Sequence, residues 1–334
     1  MDIVADLKAR AAKNIKTIVL PETEDKRMFL AAAQVMQEGF ARIVFVGKPE
    51  EVAKGAAELK VKVDGIPVID PATAPFRAEL VNLVFERRKA KGMTREQAEK
   101  MLQERIPFAA AMVAAGKADG YVAGASHATA EVLRPALQII GPLPGTKTVS
   151  SYFIMISPLK EFGDNGLLFY ADCGFVPDPD AEQLAEIAVT TARTAKNVYG
   201  IEPRVAMLSF STKGSASHPL LEKVIKATAL AKQMAPELVI DGEMQADAAL
   251  VPQVCAKKAP GSAIAGRANV LIFPDLNAGN ICYKITERLG SAVALGPLIQ
   301  GLAKPANDLS RGCSAADIVG VIAVASVVAG VQSK

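Results

Sequence analysis

The sequence has no tryptophan, only two histidines (His127 and His218), and four cysteines spread over 334 residues. Two histidines are little material for a His-ligated metal centre or a Ser–His–Asp relay. Cys173, Cys255, Cys282 and Cys313 form no C-x-x-C pair. That spacing speaks against a disulfide framework or a structural zinc site and fits a reducing cytoplasm. No P-loop, no G-x-G-x-x-G behind the first strand, no H-E-x-x-H and no G-x-S-x-G occurs. Neither charge sign dominates: 38 Lys and Arg face 35 Asp and Glu. A net charge of +3 gives no reason to expect a nucleic-acid or membrane partner, although a few local arginines could still hold a small anion. The apolar run at residues 318–331 falls short of the roughly 20 residues of a spanning helix and begins beside Asp317, so we read it as a buried helix, in the core or at a subunit contact. The first residues, MDIVADLKARAAKNIK, read as a charged amphipathic helix rather than a signal peptide.

What is present is an alternation. Half of the residues are hydrophobic, enough for a large core, and the length suggests about two domains. Short β-branched runs (KTIVL, RIVFVG, IPVI, GYVAG, YFIMIS, LLFYAD, VAMLSF, ELVI, NVLIF) are separated by helix-length segments such as DKRMFLAAAQVMQEG and AEQLAEIAVTTARTAKNVYG. This pattern predicts an α/β protein with largely parallel sheets. The turn-rich GPLPGTK and the Pro/Gly-rich LGPLIQGLAKPAND read as two crossings. They predict an interrupted domain, residues 1–145 with 297–334, a second domain over 146–296, and a cleft between them.

Two stretches carry chemistry. In GASHATAEVLRP a strand gives way to a helix, and small residues Gly124, Ala125 and Ser126 would let a ligand approach backbone N–H groups that favour an anion. Ser126 and Thr129 are the loop's candidate substrate-binding hydroxyls; Thr129 could cap the helix, and Arg134 could reach back to the same anion. An ordinary helix start with a surface arginine explains the pattern equally well. NDLSRGCSAAD groups Ser310, Arg311 and Asp317. Its structural reading is a capping box, Ser314 at the N-cap and Asp317 at N3, with Ser310 and Arg311 as loop polarity.

These stretches, together with DCGFVPDPDAEQLAEIA, FSTKGSASHP, DGEMQADAAL and VLIFPDLNAGNICYK in the same order, resemble the phosphate acetyltransferase (phosphotransacetylase) family over essentially the whole chain. The resemblance implies interconversion of acetyl-CoA plus phosphate with CoA plus acetyl phosphate. It also implies two α/β domains flanking an active-site cleft, a homodimer, and a short form without extra N-terminal regulatory domains. It further implies Asp317 as general base for the CoA thiol, Ser310 as a hydrogen-bonding partner near the acyl group, Arg311 and Arg134 as phosphate anchors, and Arg88 as a CoA contact, with Arg87 adjacent. CoA enters as a substrate; no metal and no permanently bound cofactor are needed.

The chemistry suits these residue types. A thiol with pKa near 8.5 is mostly protonated at neutral pH, and its thiolate is the nucleophile, so a base must take the proton. The tetrahedral oxyanion that follows needs a donor, and the departing phosphate needs cations. Cys313 offers a rival nucleophile, but CoA already supplies a thiol, and a small cysteine is commonly packing. Three alternatives remain: a phosphate butyryltransferase, an NAD-dependent decarboxylating dehydrogenase of similar, isocitrate-dehydrogenase-like architecture, and a catalytically silent interaction domain.

Overall fold

The computed structural model describes residues 3–332 and divides into two compact units, Met1–Pro144 with Leu302–Lys334, and Gly145–Gly301. Gly145 begins the second unit close to the expected crossing. The return lies beyond the expected 297, because the last strand of the second unit pairs on as far as Gln300.

The first unit is built on a parallel sheet of β1 (Thr17–Leu20), β2 (Arg42–Val46), β3 (Val68–Ile69), β4 (Gly120–Ala123) and β11 (Ala306–Asp308), in the order β11-β4-β1-β2-β3. Its helices are α1 (Ile3–Ala11), α2 (Lys26–Glu38), α3 (Pro49–Leu59), α4 (Arg77–Arg88), α5 (Arg95–Met101), α6 (Arg105–Ala114), α7 (Thr129–Pro135) and α13 (Ala315–Gln332). β1 and β4 are buried along nearly their whole length, as apolar β-branched strands covered on both faces must be. The apolar run at 318–331 folds within α13, which packs on α1, α2 and β4. It buries Ile318, Val319, Val321, Ile322 and Val324, each worth about 1.5–3 kcal/mol of transfer free energy. Among the described residues this is the one helix long and apolar enough to cross a membrane, and its sides are taken up by that packing.

The second unit carries a sheet in the order β10-β5-β6-β9-β7-β8, with β5 (Ser150–Ile156), β6 (Leu167–Ala171), β7 (Arg204–Leu208), β8 (Val239–Met244), β9 (Val270–Ile272) and β10 (Val293–Gln300). β5 runs antiparallel to β6 and β10, and the rest is parallel. Helices α8 (Ala181–Tyr199), α9 (Pro219–Met234), α10 (Ala246–Leu250), α11 (Pro252–Lys258) and α12 (Leu276–Leu289) complete it. Two of the family-like motifs here build local structure. Asp172 of DCGFVPDPDAEQ accepts from the N–H groups of Ser151, Gly174, Phe175 and Val176 at 2.9–3.1 Å, tying β5 to the turn after β6. Asp180 forms a capping box with Gln183 at the start of α8. In FSTKGSASHP, the carboxylate of Glu243 accepts from the N–H of Gly214 at 2.7 Å and the hydroxyl of Ser211 at 3.0 Å.

LGPLIQGLAKPAND, expected as a bare crossing, contains the end of β10 and all of β11. Proline is compatible with β10 because that strand lies at a sheet edge and Pro297 sits in a register shift between Leu295 and Leu298.

Candidate active site

Because β1, β4 and β11 are adjacent and parallel, the loops leaving their carboxyl ends share one edge of the sheet. That edge is where open α/β sheets bind ligands. The loops after β4 and β11 are GASHATAEVLRP and NDLSRGCSAAD, so residues nearly 200 positions apart become neighbours.

The loop after β4 binds an anion, but the anion is the protein's own. Glu22, from the loop after β1, is fully buried. Its carboxylate accepts from the backbone N–H groups of Gly124 (2.9 Å), Ala125 (2.8 Å), Ser126 (3.0 Å) and His127 (3.0 Å). The donors expected to meet a substrate are therefore committed within the fold. Ser126 is committed too, its hydroxyl lying 3.0 Å from Glu22 Oε1 and 2.7 Å from Glu24 Oε1. Thr129 does not cap α7. Ala128 holds the N-cap position, its N–H bound by Glu131 Oε2 at 2.9 Å, while the Thr129 hydroxyl donates to Asp308 Oδ2 at 2.6 Å. Gly124 has φ of +111°, and a Cβ there would fall 2.2 Å from Asp308 Oδ1 and 2.5 Å from Leu309 N. Its smallness makes room for protein rather than for ligand.

In the loop after β11 the capping box is present. Asp317 Oδ2 accepts from Ser314 N (2.7 Å) and Ser314 Oγ (2.9 Å), and Ser314 Oγ accepts from Asp317 N (3.2 Å). Among the described residues Oδ1 has no partner, on an exposed side chain, so capping and proton transfer can use different oxygens of one carboxylate. Ser310 is exposed, its Oγ accepting from Gly312 N at 3.3 Å. The guanidinium groups of Arg311 and Arg134 are exposed and make no hydrogen bond or ion pair among the described residues. Arg134 lines a pocket of about 700 Å³ together with Glu24, Arg105, His127, Glu131 and Gln138. Arg88, half-buried in the last turn of α4, has no partner for its Nε among the described residues, whereas Arg87 donates to the carbonyls of Ile139 and Ile140. Arg87 thus has a structural task and Arg88 is the free one; Arg88 makes no hydrogen bond to the group formed by the other two loops.

Three residues of this edge escaped sequence reading: Glu22, Arg27 and Asp308. Arg27 ties the loops together. Its guanidinium donates to the carbonyls of Arg311 (2.8 Å), Cys313 (2.7 Å) and Ala125 (2.7 Å), and pairs with Asp25 at 2.6 Å. Its hydrogen bonds hold the Asp25 carboxyl below the usual carboxylate range. Glu22 and Arg27 follow the carboxyl end of β1, in the loop and the first turn of α2, and Asp308 is the last residue of β11; nearness to a strand's carboxyl end is the one signal that could have singled them out. Burial pushes the Cys313 thiol up to about 11, which leaves it a poor nucleophile. Glu22, Glu24 and His127 place their ligand atoms within 4.8 Å of one another, but both Glu22 oxygens already accept backbone N–H groups, as a hydrogen-bond network does and a cation cage does not.

Asp308 is 1% exposed, and its Oδ1 has no hydrogen-bond partner among the described residues. Burial, aided by the nearby Glu22 carboxylate, raises its carboxyl from 3.8 to about 6. A raised acid binds its proton more tightly folded than unfolded. It favours the fold at low pH, and that contribution is lost as pH climbs from about 4 through about 6. The rise corresponds to about 3 kcal/mol. Asp308→Asn keeps an acceptor for Thr129 and removes the charge, so its urea-unfolding free energy at pH 7.5 should exceed wild type by about 1–3 kcal/mol, with the two converging below pH 4. Equal values across the range would show that Asp308 is not strained by its charge.

Known proteins resemble the chain along its whole length. A phosphate acetyltransferase of Acetivibrio thermocellus is 50% identical over 98% of this chain and 98% of its own. A solved phosphotransacetylase of Streptococcus pyogenes superposes with a TM-score of 0.93 at 43% identity, covering 98% of both chains. A phosphotransacetylase structure from Staphylococcus aureus gives 0.88 at 45% identity, covering 98% of this chain and 99% of the other. The family described as "Phosphate acetyl/butaryl transferase" matches residues 2–326, and the chain belongs to that family.

Proposed function

We propose that this chain transfers an acetyl group reversibly between CoA and phosphate by direct attack in a ternary complex. The observation that carries the reading is the meeting of the two loops at one sheet edge. There Arg27 holds together the segments that present Ser310, Arg311 and Asp317 on one side and Arg134 on the other. Asp317 Oδ1 takes the proton of the CoA thiol as sulfur attacks the acetyl carbonyl. The Ser310 hydroxyl donates to the developing oxyanion, and Arg311 and Arg134 hold the acetyl phosphate dianion and the phosphate that leaves. Arg88 contacts CoA from the end of α4. Thr129 and Ser126 support the site as the hydroxyls that fasten its loops. CoA is a substrate and no resident cofactor enters the scheme.

A homodimer working in the cytoplasm completes the proposal. All four cysteines are free thiols. Ile281, Ile285 and Leu289 form an apolar stripe on α12 at four-residue spacing, with Leu289 83% exposed, and such a stripe suits an isologous contact. Light scattering at the mass of one chain would refute the dimer.

The assay is direct. Purified protein mixed with CoA and acetyl phosphate should form thioester, followed by ultraviolet absorbance, faster than with butyryl phosphate. Double-reciprocal plots should intersect, and Cys313→Ala should keep its turnover, because the buried thiol takes no part. No thioester with any short acyl phosphate would sink the proposal. Parallel plots with label trapped on Cys313 would replace direct transfer by an acetyl-enzyme.

A further inference from the structure

The proposed reaction leaves one proton unplaced. Acetyl phosphate enters as a dianion, and breaking its acyl C–O bond would expel a phosphate trianion, which is too basic to leave easily. The product is hydrogen phosphate, so one proton must reach the departing oxygen as one is lost from sulfur. Asp317 accounts only for the second. A group that donates at the phosphate is needed near Arg134.

The pocket beside Arg134 contains such a group. Most of its charged side chains are already satisfied inside the protein. Arg105 donates to Thr23 at 2.8 Å and pairs with Glu24 at 3.1 Å. Glu24 also receives the Ser126 hydroxyl, and Glu131 closes the N-terminus of α7. Among the described residues, the Arg134 guanidinium and the Nε2 of His127 make no hydrogen bond or ion pair. The imidazole is held by its other nitrogen: Nδ1 lies 2.8 Å from Oε1 of the fully buried Glu22 and 3.2 Å from Ser126 Oγ. A carboxylate there only accepts, so Nδ1 carries the hydrogen and Nε2 is the nitrogen that gains or loses a proton. Glu22 is itself pinned by backbone N–H groups, which fixes the ring in turn. The arrangement is a carboxylate–imidazole pair whose working nitrogen belongs to a residue lining the same pocket as the phosphate anchor.

We infer that His127, oriented by Glu22, is the general acid and base at phosphate in the proposed reaction, an inference that rests on that reading of the site. In the direction of thioester synthesis the imidazolium gives its Nε2 proton to the leaving oxygen while the acyl C–O bond breaks and the S–C bond forms. Hydrogen phosphate departs, Nδ1 keeps its hydrogen, and His127 is left neutral while Asp317 is protonated. Exchange with water resets both. In reverse, neutral Nε2 takes the proton of hydrogen phosphate as its oxygen attacks the thioester carbonyl. The two protons therefore travel at opposite ends of the acyl group through separate residues.

The test compares two donors in wild type and His127→Gln, read as kcat/KM so that a weaker donor still reports. Glutamine keeps a hydrogen-bonding amide on a half-exposed side chain but cannot release a proton. With acetyl phosphate the variant should lose about 100-fold, as removal of a general acid does. With methyl acetyl phosphate the leaving group is a phosphate monoester, stable as its dianion because its second pKa is about 6, so no proton is required. There the variant should stay within a few-fold of wild type. Equal losses with both donors would mean that His127 binds or merely shapes the pocket, and no loss with acetyl phosphate would mean that it is idle; either result overturns the inference. If wild type itself fails with acetyl phosphate, the acetyl-transfer reading falls and takes this inference with it.

Discussion

Asp317→Asn should lose between about 10² and 10⁴ of its turnover while unfolding within about 1 kcal/mol of wild type. The asymmetry follows from the two oxygens. Oδ2 accepts from the N–H and hydroxyl of Ser314, and an asparagine carbonyl in the same place still accepts both. What the amide cannot do is take a thiol proton. If Asp317 served the helix alone, the variant would lose a few tenths of a kcal/mol and keep its rate. If it served chemistry alone, Ser314→Ala would leave the rate untouched. In the structure Ser314 fixes the Asp317 rotamer, so Ser314→Ala should lower turnover modestly as well as stability. The decisive reading is initial rate against urea midpoint for each variant. Normal turnover in Asp317→Asn would return the residue to its capping role.

Replacing Arg27 should have the largest structural effect on the site without removing any group that meets substrate. Arg27→Gln deletes donors to the carbonyls of Arg311, Cys313 and Ala125 and takes away the cation beside Asp25, which keeps only its N-cap bond from the backbone N–H of residue 27. Hydrogen bonds to a charged group contribute about 1.5–3 kcal/mol each, and water would replace part of that on a side chain 28% exposed. A loss of about 2–3 kcal/mol in stability is the expected sum. The loops would then move independently, and a displacement near 1 Å costs about 10²-fold in rate. kcat should fall by 10- to 100-fold, with KM for CoA changing less. Arg27→Lys should recover little, because one ammonium cannot reach carbonyls that the planar guanidinium meets on separate edges. Wild-type kcat in Arg27→Gln at a temperature where it is folded would show that the loops hold themselves.

These two residues also mark how far the sequence could be read. Asp317 was legible because its partner Ser314 is three positions away and a capping box is a local pattern. Arg27 was not, since the carbonyls it meets are 98 to 286 positions distant and carry no side-chain signature. The alternation of apolar strands and helices marked the α/β class for the same local reason, as did burial of the apolar run as α13. Strands β10 and β11 went unread because Gly296, Pro297, Gly301 and Pro305 interrupt LGPLIQGLAKPAND, and only pairing with β5 and β4 makes those segments strands.

The sequence by itself determined the class of fold, the periodic elements, the capping of α13, and the residue types that a thiol and a phosphate require. Those features rest on spacings within one or two turns, or on the chemistry of a side chain wherever it lies. The tertiary structure alone decided what occupies the anion-binding loop after β4, and Glu22 does, because the sheet order sets the end of β1 beside the end of β4. It alone left Asp308 Oδ1 without a partner among the described residues and turned His127 into half of a carboxylate–imidazole pair. Burial and long-range hydrogen bonds set the protonation and orientation of those groups, and both depend on strands that meet only when the chain is folded.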